Sequence, residues 1–383
     1  MSSVFEETNS AGEHTLVAPR MFKRQLALLL PAHNEELILE ATIRSAIAAG
    51  QSINDIYVVN DNSSDKTRAI ATRLLGKYNV LNVRRSGKAL AVKKAIIKFN
   101  IESNYTWLHI ADADSIFSLD YFRHYRAKLD PTKYAVAVGF VQSLRGNWIS
   151  TYRALTYTYS QHVMRRIQAQ LGMISVFPGP ITCFRTDIIS KLEFGNSSLT
   201  EDFDITLQVH RKKLGNIVYI PKAINYTQDP QTLSDFCKQN LRWQRGFFQG
   251  VKKHKIGLKG QRIDVSLGFQ MLQTVLLLVE LFVLIPIIIV ANNYDFMVIP
   301  TFFAADFLIN GIIAVFASMA AKRWNLIGSL PYFYFLRYIE IGIYFIAFVE
   351  VMILHRFQDN IIGWSTAGRR YKLSNNAMLD IVK

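Results

Sequence analysis

"TWLHIADADS", residues 106–115, is an apolar, aromatic-rich run that ends in two carboxylates one residue apart. A short apolar run bounded by polar turn residues has the signature of a buried strand, so Asp112 and Asp114 fall at a strand's carboxyl end. Four similar runs surround it: "LALLL" (26–30), "IYVVN" (56–60), "VLNV" (80–83) and "YAVAVGFV" (134–141), with helical patterns between most of them. Such alternation predicts a doubly wound α/β sheet, in which ligands bind outside the carboxyl ends of the strands. "PAHNEE" follows the first strand, "DNSSDKT" the second and "DADS" the fourth, so polar groups far apart in sequence are expected to converge on one crevice. No G-x-G-x-x-G follows the first strand, which argues against a dinucleotide-binding domain.

Two carboxylates flanking one small residue suit a hard divalent cation bridged to phosphate oxygens, although aspartate is also common in loops and caps. "TED", residues 200–202, opens the helical pattern "DFDITLQVHRKKLG". It reads as an N-terminal cap, Thr200 followed by first-turn acids, and equally as a place for Asp202 to act as a general base on a hydroxyl. In "SGKALAVKKAI" (86–96), Lys93 and Lys94 fit a solvated helical face, whereas Lys88 follows Gly87 where backbone amides and an ammonium can meet phosphate. "QNLRWQRG" (239–246) brings Gln239, Arg242 and Trp243 onto one helical face. The Arg242 fork suits a diphosphate. Trp243 serves either as a membrane-interface anchor or as a platform for a sugar ring.

The chain has 383 residues, half of them hydrophobic, and a formal charge of +15 from 44 Lys and Arg against 29 Asp and Glu. Up to about residue 262 it has the pattern of a globular protein; beyond lie 265–290 and 296–321, both long enough to span a bilayer. A third stretch, 326–354, carries Arg337, Glu340 and Glu350 and is a poorer span. "KKHKIGLKGQR" (252–262) precedes the first stretch, so much of the charge excess marks the cytosolic side and attracts anionic headgroups rather than nucleic acid. The N-terminus has no secretory-signal pattern, so the globular part is expected to be cytosolic. A third crossing would put "RRYK" (369–372) outside, so an interfacial third segment with a cytosolic C-terminus is the expectation. Cys183 and Cys237 suggest neither a disulfide framework nor a zinc site. Residues 147–171 carry an apolar stripe at 148, 152, 155, 159, 163, 167 and 171: an interfacial helix under the membrane section, or one packed on the sheet.

The ordered set "PAHNEE", "VVNDNSSDKT", "SGKA", "DADS", "FPGPITCFR", "TEDFDITLQVHRKKLG" and "QNLRW" resembles family 2 glycosyltransferases, especially the membrane-embedded cellulose, chitin, hyaluronan and poly-N-acetylglucosamine synthases. The resemblance covers residues 24–262. It implies an α/β, GT-A (nucleotide-diphospho-sugar transferase) catalytic domain followed by transmembrane and interfacial helices, and inverting hexosyl transfer from a nucleotide sugar, usually a UDP-sugar, with Mg²⁺ or Mn²⁺. Carried over by motif, Ala32, His33, Glu35 and Asp61 line the nucleobase and ribose pocket with Asp112 nearby, and Asp114 holds the metal. Lys88, Gln239 and Arg242 steady the diphosphate. Asp202 deprotonates the acceptor hydroxyl, and Trp243 and Glu201 contact the acceptor. The family's second-strand motif often has two adjacent acids; here Asn60 stands in the first position, leaving nucleobase contacts to Asp61. "GWSTAGRR" (363–370) partly resembles the gating loop of some polysaccharide synthases.

The resulting organisation is a tail (1–23), the catalytic domain (24–230), an interface helix and basic juxtamembrane segment (231–262), a membrane region (263–356) and a basic tail (357–383). Two or three spans are few for a one-chain polysaccharide channel. Either protomers assemble into a homo-oligomeric path, or the acceptor is a membrane lipid such as a polyprenyl carrier; a non-catalytic sugar-nucleotide binder is the third reading. Glu280, Asp306 and Asn310 either line a path or satisfy one another between helices. No nucleic-acid module is present.

Overall fold

The computed structural model describes residues 23–356 apart from 145, 196, 197, 294 and 295, together with the paired segments β1 (Phe5–Thr8) and β2 (His14–Val17). "GWSTAGRR" and "RRYK" lie outside the described residues. After β3 (Arg24–Ala32) come α1 (Leu39–Ala48), β4 (Ile56–Asp61), α2 (Thr67–Leu75), β5 (Val80–Val83), α3 (Lys88–Lys98), α4 (Ile101–Asn104), β6 (Tyr105–Ile110), β7 (Ile116–Phe117), α5 (Tyr121–Arg126) and β8 (Tyr134–Ser143). The second half contains α6 (Trp148–Tyr159), α7 (Arg165–Gln170), β9 (Thr182–Arg185), α8 (Glu201–Arg211), β10 (Asn216–Thr227), α9 (Leu233–Lys253), α10 (Arg262–Val279), α11 (Ile285–Ala291), α12 (Val298–Ala321) and α13 (Leu330–Phe348).

Eight strands form one sheet in the order β5-β4-β3-β6-β9-β8-β10-β7. The β5-β4-β3-β6 part is parallel, as its alternating helices require. From β6 outward the sheet is mixed, because β9 runs antiparallel to both β6 and β8, and β7 antiparallel to β10. Leu26, Leu28 and Leu30 pack on one face of β3 and Ala27 and Leu29 on the other. Helices cover both faces, which is why these strands read as unbroken apolar runs; each buried leucine contributes about 1.5–3 kcal/mol.

The hydrophobic half departs from the expected pair of spans. Among the described residues one helix, Val298–Ala320, is long and apolar enough to cross a membrane, with a mean hydropathy of 1.9. The stretch 265–290 is divided by a π-helical turn at Glu280–Leu284, and α10 carries Gln270, Gln273 and Thr274. In the third stretch each charge has a partner. Arg337 pairs with Asp306 of α12 at 2.8 Å, Glu340 accepts from the Tyr152 hydroxyl of α6 at 2.6 Å, and Glu350 takes both Nε and Nη2 of Arg245 of α9. Asn310 also donates to Asp306, so these two groups satisfy one another between helices.

The helix of residues 147–171 is interrupted by a π-helical turn at Ser160–Met164. Its expected stripe holds only at first: Tyr152 and Leu155 are buried, but Val163, Ile167 and Leu171 are exposed while Gln161, Arg165 and Gln168 are buried. A π-turn inserts a residue and rotates the succeeding helical segment by roughly 100°, which reverses the face.

Candidate active site

The strand ends converge as the topology requires. Gly87 begins α3 at φ +83°, a conformation that glycine adopts without penalty, and its N–H donates to Asp61 Oδ2 at 2.9 Å. The Ser86 N–H donates to Asp61 Oδ1 at 2.8 Å. Asp61 is therefore fully buried and spends both oxygens fixing the turn that presents Lys88. Its expected ligand contact thus becomes a positioning role. His33 shares a hydrogen bond between Nδ1 and the Asp61 carbonyl at 2.8 Å, and Ala32 is buried in β3.

A cavity of about 800 Å³ collects the remaining candidates: Glu35, Lys88, Asp112, Asp114, Glu201, Asp202, Gln239, Arg242 and Trp243 all line it. Ala32, His33 and Asp61 lie behind that lining. Lys88 Nζ sits 2.6 Å from Asp112 Oδ1 and 2.8 Å from Glu201 Oε1. Burial works against the ammonium, but the two carboxylates outweigh it and raise its pKa. Burial likewise pushes Glu201 up, and Lys88 more than reverses this, so Glu201 stays ionised. Asp202 is different: burial and then the Glu201 charge push it up to about 6, against the opposing pull of Lys88 and of the Phe203 N–H, which donates to Oδ1 at 2.8 Å. A carboxylate tuned towards neutrality suits proton abstraction.

The capping role does not go to Thr200, whose side chain makes no cap hydrogen bond. It faces α9 instead, where a Cβ on Gly246 would collide with the Thr200 side chain and one on Gly250 would lie 2.5 Å from the Phe203 ring. This small-residue pair lets α9 lie directly against the helix that carries Asp202. The "FPGP" stretch is similarly tight, since a Cβ on Gly179 would stand 2.9 Å from Lys88 Nζ and 3.4 Å from the Asp112 oxygens.

Gln239, Arg242 and Trp243 share a face of α9 as the spacing requires, and Arg242 Nη1 donates to the Leu199 carbonyl at 3.2 Å. What the sequence did not single out is Arg153. This buried α6 residue donates from Nη2 to Gln239 Oε1 at 3.3 Å and places Cζ 4.6 Å from the Trp243 ring centre and 4.9 Å from that of Phe236. One guanidinium thus holds two of the three motif residues from behind. Its signal in the sequence was faint: an arginine one position from a stripe residue of an amphipathic helix.

Other ties fix the two catalytic helices. Arg211 at the end of α8 grips Asp264 of α10 through two nitrogens at 2.6 and 2.9 Å, both side chains being buried, and Arg211 holds the Asp264 carboxyl at about 2. Asp204 takes Lys253 and His254, so part of the basic juxtamembrane segment is committed to α8 rather than left for lipid headgroups.

A family model described as glycosyltransferase like family 2 matches residues 23–246. A poly-beta-1,6-N-acetyl-D-glucosamine synthase of Staphylococcus aureus (strain COL) is 24% identical over 227 residues, covering 58% of this chain and 54% of that protein. A probable glycosyltransferase, YdaM, of Bacillus subtilis is 27% identical over 250 residues, covering 58% and 55%. The chain spans about half the length of the curated relatives it matches. Among solved structures, the mannosyltransferase PcManGT of Pyrobaculum calidifontis, in complex with GDP-Man and Mn²⁺, superposes with a TM-score of 0.55 at 14% identity, covering 82% of this chain and 87% of that one.

Proposed function

The chain belongs to glycosyltransferase family 2 and has its GT-A fold, and from that footing we propose an inverting, membrane-bound transferase that moves a sugar from a nucleotide sugar, a UDP-sugar, onto a hydroxyl of a growing polysaccharide. The observation that carries this reading is the junction of two groups of residues in one cavity: the Lys88–Asp112–Glu201 cluster beside Asp202, and the α9 face of Gln239, Arg242 and Trp243.

The steps follow from these positions. Asp202 takes the proton of the acceptor hydroxyl, whose oxygen attacks the anomeric carbon in line as the diphosphate leaves. One displacement needs no second nucleophile and inverts configuration. Negative charge grows on the leaving diphosphate, and Lys88 and Arg242 oppose it. Trp243 offers the acceptor ring a flat apolar surface. Asp112 and Asp114 suit a divalent cation: among the described residues no group of three or more His, Cys, Asp or Glu could hold one, so diphosphate oxygens and water would complete the shell. A bound Mg²⁺ or Mn²⁺ supplies charge neutralisation at the diphosphate.

Placement at a membrane is supported by the Val298–Ala320 helix and by the exposed apolar side chains of α10 and α12, such as Leu272, Leu276, Leu308 and Phe316. A lipid-linked acceptor is the second reading, favoured because the cavity is continuous with α10 and α13 through Gln270, Thr274 and Tyr344. The test is nucleoside diphosphate release by detergent-purified protein from a panel of UDP- and GDP-sugars with Mn²⁺ or Mg²⁺. Metal-dependent release from one donor is expected. No release from any donor, with membrane lipids and oligosaccharides added, contradicts the proposal.

A further inference from the structure

The cavity wall away from the donor cluster has its polarity inverted. After the π-helical turn, Val163, Ile167 and Leu171 face outward at 42–48% exposure, while Gln161, Arg165 and Gln168 line the cavity. α10 repeats the pattern, with Leu272, Val275 and Leu276 exposed and Gln270, Gln273 and Thr274 lining the cavity. The lining carboxylates, Glu35, Asp112, Asp114, Glu201 and Asp202, belong to the donor and base side.

Arg165 is the cation of this second wall. It is 6% exposed, Nη1 donates to the Val176 carbonyl at 2.7 Å, and Nε is buried with no hydrogen-bond partner. Burial lowers its pKa to about 10, which leaves it charged at neutral pH. Elsewhere the fold gives its enclosed arginines carboxylates: Arg211 has Asp264, Arg337 has Asp306 and Arg245 has Glu350. No such partner exists for Arg165 among the described residues, and a desolvated cation without a counter-charge is costly. The site adjoins the base. Val176 precedes Phe177, whose N–H donates to Thr206 Oγ1, and that hydroxyl donates to the Asp202 carbonyl.

We propose that Arg165 anchors a phosphate carried by the acceptor, so that the acceptor is a lipid phosphate-linked saccharide whose anion sits between α7 and α10. The lipid source is favoured over an anionic polymer because both flanking helices turn apolar side chains outward. Calling the ligand an acceptor rests on the transferase reading; the anion site does not. During transfer the acceptor hydroxyl oxygen bonds to the anomeric carbon and its proton passes to Asp202. The bond from that carbon to the diphosphate breaks, with the electron pair leaving on the nucleoside diphosphate, and the anchored phosphate is unchanged.

The test titrates detergent-purified protein with dodecyl phosphate, dodecanol and inorganic phosphate by calorimetry, with UDP binding measured on the same samples as a report of folding. Dodecyl phosphate is expected to bind about tenfold to a hundredfold more tightly than dodecanol, the range of one charge-assisted hydrogen-bonded contact. Inorganic phosphate should bind more weakly than dodecyl phosphate. Arg165→Gln should reduce dodecyl phosphate to the dodecanol level, and Arg165→Lys should retain most of the difference. Should Arg165→Gln lose UDP binding through misfolding, the wild-type comparison and Arg165→Lys decide. Equal binding of dodecyl phosphate and dodecanol, an undiminished Arg165→Gln, or inorganic phosphate binding as tightly as the lipid overturns the proposal, as does Arg165-dependent binding of a uronate oligosaccharide alone. Arg165-dependent binding without nucleotide release from any donor would keep the site and sink the transferase reading, and release without such binding would do the reverse.

Discussion

Replacing Arg153 with methionine keeps most of the buried volume of α6 while removing the charge that faces Gln239 and Trp243. Two contacts are lost. The Nη2–Gln239 hydrogen bond at 3.3 Å is charge-assisted and of the kind that contributes about 1.5–3 kcal/mol, shaded towards the low end by its length. The guanidinium 4.6 Å from the Trp243 ring centre, away from water, contributes about 1–2 kcal/mol. Their sum is near 3 kcal/mol, an upper bound because neighbouring contacts are not additive. Expressed in the transition state, that is a fall in kcat of about tenfold to a hundredfold. Arg153 touches neither Lys88 nor Asp202 in any contact described, so donor KM and UDP affinity should move by less than about threefold, within ordinary surface-mutation scatter. Steady-state nucleotide release gives kcat and KM, and Trp fluorescence gives an independent reading, since a cation removed from the indole changes its emission. Arg153→Lys should recover part of the rate. A methionine variant with wild-type kcat would refute the positioning argument, and so would one whose loss lies wholly in UDP affinity.

Two further outcomes follow from the charge arrangement. A base must be deprotonated to act, so with Asp202 pushed up to about 6 the rate should hold above that pH and fall through one protonation below it. Glu201→Gln removes the like charge that helps raise Asp202 and frees Lys88 to act on it, so the inflection should move to lower pH whatever happens to the amplitude; an unchanged or higher inflection in a pH–rate profile would contradict this. Asp264→Ala strands the buried Arg211 guanidinium, and denaturation in detergent should register a loss of about 3–5 kcal/mol, with a loss below about 1 kcal/mol counting against that tie.

The strands built from apolar runs were legible because burial on both sheet faces leaves them little choice of residue. All five predicted runs lie in β3, β4, β5, β6 and β8. β7, β9 and β10 were not legible, each for its own reason. β7 has two residues, and β9 has four and follows a Pro-Gly-Pro turn. β10 contains Pro221, which normally argues against an internal strand; here the register with β8 slips between Tyr219 and Ile224, so the proline falls in a bulge. The membrane half was misjudged where apolar content was counted without regard to face: glutamines within α10 point into the cavity. Motif spacing placed Gln239, Arg242 and Trp243 together correctly, because helical geometry is local. It said nothing of Arg153, which lies 86 residues from Gln239 and meets it only through packing.

Asp202 carries the chemistry in this account, so the most direct measurement is made on Asp202→Asn: transfer from radiolabelled UDP-sugar to product, beside the UDP dissociation constant of the same protein. The prediction is transfer reduced by at least about a hundredfold, as expected when a general base is removed, with UDP affinity within a few-fold of wild type. Transfer at the wild-type rate would remove Asp202 from its role and with it the proposed mechanism.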